Sequence, residues 1–389
     1  MIGRPDREQH LQVCTQRGEH CYPINIGRAI LGKIDRQTCN LGAKARRIAV
    51  MSNKRVFNLY GKRAIKSLRR ENLLVSCWLM GEGERSKSFE SAEKAVGFLS
   101  EMKIERDDAV IALGGGVVGD LAGFAAAIYL RGVKLIQVPT TLLAQIDSSV
   151  GGKTGVNLPV GKNLVGSFHQ PSAVLIDVET LATLPQRELI SGWCEAVKHG
   201  IIAGEDLFKQ TTGFLARIRS GECQLISPEL EKLIAAHCAF KASIVVEDER
   251  EATERSDRRS RRTLNFGHTV GHALEAVTGY RRFRHGEAVG HGMLVAAEVS
   301  KTLGLLQTSE LELLQEAVQL CGPLPPAHDL DLNEILRALK RDKKSVAGQI
   351  HWILLEHIGR PRVIEGKEIP QRLLRASLRA GLQKAHARH

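Results

Sequence analysis

The sequence predicts a doubly wound α/β domain in its first half and a mainly α-helical domain in its second. Two observations carry this. Up to about residue 140, short apolar runs alternate with stretches of helical periodicity, as βαβ units require. After about residue 186, strand-like runs become rare and helical spacing dominates. The length agrees, since 389 residues exceed the roughly 100–200 of one domain. The Leu184-Pro185 region marks the boundary, giving domains 1–186 and 187–389.

The elements follow in order. Residues 1–20 are polar and are expected to form a loose extension. Arg46 to Met51 is an apolar run read as a strand, and Val56 to Arg70 has Phe57, Tyr60, Ala64 and Leu68 at helical spacing. Leu73 to Met80 is a second strand, followed by the polar loop Gly81–Ser88. Ser91 to Lys103 is helical. Ala109 to Leu113 is a short buried strand that ends in Gly114-Gly115-Gly116. Leu121 to Tyr129 is a helix of small apolar residues, and Val133 to Val138 is another strand. In the second half, Gly192–Ile202, Leu230–Val246, Thr269–Val277, Ala288–Leu303 and Leu311–Leu320 read as helices. His351–Glu356 is the strand-like exception. Glu247–Arg262 stands apart as a charged segment with five arginines near its end, expected to be a solvated loop.

Composition narrows the function. Lys and Arg number 55 against 43 Asp and Glu, a net charge of +12. Such a balance suits nucleic acid, an anionic membrane surface or a polyanionic small substrate. Aromatic content of 4% argues against a single-stranded nucleic-acid surface, which needs stacking platforms. The eight cysteines are dispersed without a CxxC pair, so free thiols in a reducing cytoplasm are expected. The N-terminus lacks the apolar core of a secretory signal, and no run of about 18 apolar residues predicts a membrane span.

Four motifs carry chemistry. Gly114-Gly-Gly-Val-Val-Gly119-Asp120 lies between a strand and a helix. There backbone N–H groups and a helix N-terminus can meet a pyrophosphate, although tight strand–helix turns also use glycine. Residues 137–163 then hold Asp147, Gly151-Gly152-Lys153-Thr154 and Gly161-Lys162-Asn163. Two lysines in glycine-rich loops suit phosphate or carboxylate groups. Glu195 precedes Lys198 by three residues on a helix, read either as a surface ion pair or as a metal ligand beside a catalytic lysine. Finally, Asn265-Phe-Gly-His268-Thr-Val-Gly-His272 is followed by His285-Gly-Glu287. Glu195 with two of these histidines would make a His₂Glu set with an open position, suited to a catalytic divalent ion. Spacing alone leaves open which two histidines ligate.

Taken together with Lys241…Asp248-Glu-Arg-Glu251 and Arg341-Asp-Lys-Lys344, these motifs resemble the 3-dehydroquinate synthase family of the shikimate pathway, over roughly residues 20–365. The resemblance implies a Rossmann-like, NAD-binding α/β domain and a helical metal-binding domain, in a cytoplasmic homodimer. It implies conversion of 3-deoxy-D-arabino-heptulosonate 7-phosphate to 3-dehydroquinate and phosphate. The steps would be transient oxidation by bound NAD⁺, β-elimination of phosphate, re-reduction and aldol closure. It assigns a divalent ion, zinc or cobalt, to Glu195, His268 and His285, and leaves His272 near the phosphate. By the same resemblance Lys153, Asn163, Lys198, Lys241, Asn265 and Lys343 bind substrate, Asp147 lies near the reacting hydroxyls, and Arg131 contacts phosphate across the dimer. For NAD it implies Asn53, Glu84, Lys87, Gly116, Val117, Val118, Gly119, Asp120, Thr140, Thr141, Lys153, Lys162, Thr180 and Thr183.

One departure stands out. Glu251 to Asn265 is about six residues longer than the family pattern. The substrate-binding arginine is Arg261 counting back from Asn265, and Arg255 counting forward from Glu251. Arg261 is preferred, because an insertion is absorbed more easily upstream of the metal helix. Other readings remain in view: a related cyclase such as a 2-deoxy-scyllo-inosose synthase, a metal-dependent polyol dehydrogenase, and an RNA-binding protein acting through Arg255–Arg262.

Overall fold

The computed structural model describes residues 8–15, 20–35, 45–159, 161–252, 254–341 and 351–384. The chain divides into two compact units. One holds Met1–Leu184 and Ile226–Ala242, and the other Pro185–Leu225 and Ser243–His389.

The first unit is built on a seven-stranded sheet. Its strands are β1 (Gln9–Cys14), β2 (Cys21–Gly27), β3 (Arg47–Asn53), β4 (Leu74–Met80), β5 (Ala109–Gly114), β6 (Lys134–Pro139) and β9 (Ala173–Asp177), in the order β1-β2-β9-β6-β5-β3-β4. All pairs are parallel except β1 with β2. Alternation along β3 shows why both faces are covered. Ile48 and Val50 join one core with Ile111, Ile136, Ala64 and Leu68. Ala49 and Met51 join the opposite core with Val110, Leu135, Leu99 and Ala125. A parallel sheet buried on both sides is the doubly wound arrangement. Helices α1 (54–68), α2 (Phe89–Glu101) and α3 (Gly116–Ile128) cover it, while β7 (Lys153–Leu158) and β8 (Gly161–Phe168) form a separate antiparallel hairpin.

Three expectations change here. The N-terminal extension is in part the edge strand β1, because Leu11 and Val13 alternate inward against exposed His10 and Gln12. The antiparallel register places Cys14 opposite Cys21, and the two form a disulfide, so the expectation of free thiols fails for this pair. Cys77, Cys194, Cys223, Cys238 and Cys321 are free. The stretch bearing Lys153 and Lys162 is a β-hairpin, not a pair of loops.

The second unit is mainly helical: α4 (Gln186–Ala203), α5 (Glu205–Arg219), the end of α6 (Pro228–Glu247), α7 (His268–Val277), α8 (His285–Thr302), α9 (Thr308–Cys321), α10 (Leu332–Arg341) and α11 (Gln371–Lys384). The hairpin β10 (His351–His357) and β11 (Arg360–Glu365) completes it. Helix α8 is buried from Gly286 to Ser300 and packs on α4, α7 and α11. Small residues permit this. A Cβ on Gly292 would stand 1.9 Å from the Gly267 carbonyl oxygen, and one on Gly286 would stand 1.9 Å from that of Ser191. Backbones therefore touch where larger side chains would separate the helices. Among the described residues no helix is long and apolar enough to cross a membrane.

Candidate functional site: a dinucleotide cradle and a histidine–carboxylate centre

In the first unit the glycine turn opens α3. The first helical bond runs from Gly119 N–H to the Gly115 carbonyl at 3.0 Å, so the N–H groups of Gly116, Val117 and Val118 precede it without a helix partner. No acidic residue occupies the first turn. A Cβ on Gly115 would lie 2.9 Å from Thr141 Cγ2, and one on Gly119 would lie 2.8 Å from Gln137 Oε1. Glycine therefore keeps open a turn that can admit an anion. The Thr140 N–H donates to the Gly114 carbonyl at 3.0 Å, tying the ends of β5 and β6 together.

Beside the turn is a charged knot. Lys87 is 3% exposed, donates to Asp120 Oδ2 at 2.8 Å and Asn163 Oδ1 at 2.5 Å, and pairs with Glu84 at 3.5 Å. Burial pulls the Lys87 ammonium down, but Asp120 and Glu84 together leave it above its ordinary value. Burial raises the Asp120 carboxyl, with Lys87 only partly opposing it. Burial also pushes the Glu84 carboxyl up, yet Lys87, Lys162 and the Asn157 bond bring it below the usual range. Asn157 ties the knot together: Nδ2 donates to Glu84 Oε1 at 2.8 Å, and Oδ1 accepts the Asn163 N–H at 3.0 Å. Its role was missed in the sequence, where a hairpin asparagine looks like ordinary turn chemistry.

The remaining first-unit candidates spread over several elements. Asn53 ends β3 and caps α1 by accepting the Val56 N–H at 2.9 Å. Thr180 Oγ1 accepts from Gln145 at 3.0 Å, and Thr183 bonds the Tyr60 hydroxyl. Asp147 is ion-paired with the buried Lys241. Lys153 is exposed at the start of β7, and Arg131 is exposed just beyond α3 at a φ of 64°.

In the second unit Glu195 is wholly buried on α4, ion-paired with Lys198, which is 1% exposed. Neither Glu195 oxygen accepts a hydrogen bond of regular geometry. Helix α7 starts at His268 after Gly267 with a φ of 78°, a conformation that favours glycine. His268 Nδ1 lies 3.3 Å from the Phe266 carbonyl, and His285 Nδ1 lies 3.4 Å from Glu275 Oε2. Both partners accept only, so in the neutral imidazole each Nδ1 carries the proton and each Nε2 keeps its lone pair. Those two Nε2 atoms lie 3.9 Å and 3.7 Å from Glu195 Oε1. The three ligand atoms lie within 4.8 Å of one another. A buried carboxylate without regular donors, facing two imidazole lone pairs, fits a divalent cation. His272 stands beside them, its ring 5.5 Å from His268 and 5.9 Å from His285. His272, Glu275 and His285 also form a possible ligand group, so geometry retains that alternative.

Glu275 was missed by sequence reading, although its position three residues after His272 places it near that helix face. Arg187 anchors the centre from outside. Its Nε and Nη2 donate to Glu287 Oε1 and Oε2 at 2.8 and 2.6 Å, and Ser191 Oγ accepts the Gly286 N–H at 2.9 Å. Asn265 Nδ2 donates to Glu251 Oε1 at 3.0 Å. Arg261 is 3% exposed, and its Nη1 donates to the Glu249 carbonyl at 2.8 Å. Arg255 pairs instead with Glu247 and Asp257, and Arg259 with Glu247. Those two arginines of the basic loop are thus engaged within the loop region. Lys343 lies outside the described residues.

Known proteins resemble this chain over most of its length. Residues 77–191 match the profile described as 3-dehydroquinate synthase N-terminal, and residues 192–345 match 3-dehydroquinate synthase C-terminal. The chain is 44% identical over 341 residues to the 3-dehydroquinate synthase of Symbiobacterium thermophilum, covering 87% of this chain and 92% of that one. It is 41% identical to that of Nostoc punctiforme, covering 92% and 96%. Among solved structures it resembles a 2-deoxy-scyllo-inosose synthase complexed with carbaglucose-6-phosphate, NAD⁺ and Co²⁺. That match has a TM-score of 0.81 and 26% identity, over 96% of this chain and 100% of the other. A 2-epi-5-epi-valiolone synthase from Streptomyces hygroscopicus subsp. jinggangensis, with NAD⁺ and Zn²⁺ bound, has a TM-score of 0.79 and 25% identity, over 94% and 98%. Glycerol dehydrogenase from Schizosaccharomyces pombe, at 18% identity, shares the fold. With both profiles matched and the curated relatives covered almost end to end, the chain belongs to the 3-dehydroquinate synthase family.

Proposed function

We propose that this enzyme converts 3-deoxy-D-arabino-heptulosonate 7-phosphate to 3-dehydroquinate and phosphate, as the names of its curated relatives imply. The observation that carries the reading is the meeting of Glu195 with the Nε2 atoms of His268 and His285 in a chain of this family. Glu195, His268 and His285 hold the divalent ion, and the α3 N-terminus with Glu84, Lys87 and Asp120 holds NAD. When bound, the ion supplies Lewis acidity to an alcohol oxygen and the nicotinamide a reversible hydride acceptor, so net redox change is zero.

The chain's own residues orient and neutralise. Backbone N–H groups of Gly116, Val117 and Val118 meet the pyrophosphate. Asn53, Thr140, Thr141, Lys162, Thr180 and Thr183 line the rest of the dinucleotide. Lys153, Asn163, Lys198, Lys241, Asn265, Arg261 and Lys343 bind the substrate's carboxylate, hydroxyls and phosphate. Asp147 holds Lys241 in place and lies near the reacting hydroxyls. His272 stays metal-free and contacts the phosphate. Arg131 serves the neighbouring protomer of a homodimer, which its exposure allows. The enzyme acts in the cytoplasm.

The related-cyclase reading is less favoured, since the solved cyclases are 25–26% identical against 39–44% for curated 3-dehydroquinate synthases. Supplying purified protein with either the heptulosonate phosphate or glucose 6-phosphate tests this. Phosphate release from the first alone is expected, and release from the second alone would reverse the assignment.

A further inference from the structure

The basic segment at the C-terminus finds no role in the chemistry above. Two of its arginines help to form a basin. Arg372 and Arg375 of α11 lie with Arg337 and Lys340 of α10 around a cavity of about 520 Å³. Four cations line it, and no acidic residue does so among the described residues. Glu334 approaches Arg337 at 4.0 Å without lining the cavity. Arg375 is aimed by Asn333, whose Oδ1 accepts from its guanidinium.

A second feature adds to the charge. The first intrahelical bond of α11 runs from Leu374 N–H to the Pro370 carbonyl at 3.0 Å, which leaves the earlier N–H groups at its start. Gln371 and Arg372 belong to that start and line the cavity, and the first turn carries no acidic residue. The positive end of the helix therefore adds to the four side chains. Leu336, 9% exposed, supplies an apolar patch. Among the described residues no aromatic side chain lines the basin, and stacking on such side chains is what single-stranded nucleic acid uses.

We propose that this basin binds a small molecule bearing a diphosphate. Guanidinium forks pair with phosphate oxygens two at a time, and three of them with one ammonium suit a ligand of two to four negative charges better than one carboxylate. A free diphosphate and a nucleoside diphosphate share this chemistry, and the second would also use Leu336.

The test is calorimetric titration of the full chain, its dinucleotide site first saturated with NAD⁺, with inorganic pyrophosphate and, separately, with ADP. It compares wild type, Arg372→Gln/Arg375→Gln and Arg337→Gln/Lys340→Gln, with circular dichroism checking the fold of each. Because all four side chains reach solvent, both variants are expected to fold. Wild type should bind pyrophosphate, and each double variant should lose about tenfold or more in affinity, since charge-assisted bonds are lost. Tighter binding of ADP than pyrophosphate would identify a nucleoside diphosphate, and equal binding a free one. Affinity that is the same in wild type and both folded variants would overturn the proposal. So would a single-stranded oligonucleotide that binds far more tightly than either probe and gains affinity with length.

Discussion

His285 donates its Nδ1 proton to Glu275 Oε2 at 3.4 Å, and this fixes the direction of its other nitrogen. With Nδ1 engaged, Nε2 stands as a lone pair 3.7 Å from Glu195 Oε1. Outer partners of ligating histidines typically contribute about 10–100-fold to metal affinity. Glu275→Ala should therefore weaken Zn²⁺ or Co²⁺ binding by about that factor, measured by competition with a chelator. Unchanged affinity would show that Glu275 does not position His285.

The two candidate ligand groups share His285 and differ in the rest. His268→Ala should lose bound metal and phosphate release together. His272→Ala should keep its metal and lose turnover. Metal content by atomic absorption decides, and a metal-free His272→Ala protein with a metal-loaded His268→Ala protein would exchange the two assignments.

Arg261 and Arg255 occupy different settings. The first is 3% exposed and bonded to the Glu249 carbonyl, while the second is taken up by Glu247 and Asp257. Arg261→Ala should raise KM for the heptulosonate phosphate by roughly tenfold or more, as loss of a charged contact to substrate does. Arg255→Ala should change KM less than about twofold and stability by no more than about 1 kcal/mol. Steady-state kinetics of both variants would reveal a reversed order at once.

His291 gives the fold a pH dependence of its own. Burial holds its imidazole down at about 4 against an ordinary 6.5, and Nε2 bonds the Pro325 carbonyl at 2.8 Å. Between those values the unfolded chain binds a proton that the folded chain does not, so stability rises with pH across the window. Its contribution is present above about 6.5 and lost as pH falls towards 4, amounting to about 3 kcal/mol at most. Urea unfolding at pH 7.5 and 5 should show a smaller loss in His291→Gln than in wild type, and equal losses would contradict this.

The central sheet was legible because alternation and glycine punctuation are local signals. Ile48 to Met51 shows both faces in four residues, and Gly114–Gly116 stops β5 where the structure stops it. That histidines and a carboxylate gather was legible through the run from Asn265 to His272 and the nearby His285, while the choice of ligands among them came from the family resemblance alone. Other features depended on distant pairing. Strand β1 exists because β2 lies beside it, and β9 has only five residues between turns. The disulfide required a register that spacing does not reveal. Glu275 and Asn157 act through partners 10 and 73 residues away, beyond the reach of a local pattern.

The proposed reaction is a redox-neutral cyclisation with NAD as a catalyst. Metal-loaded protein should be given the heptulosonate phosphate with NAD⁺ far below the substrate concentration, while phosphate, dehydroquinate and absorbance at the NADH wavelength are followed. Many turnovers per NAD⁺, equal amounts of the two products and no accumulating NADH are predicted. Phosphate release that stops after one equivalent of NAD⁺, or NADH that builds up with product, would contradict it.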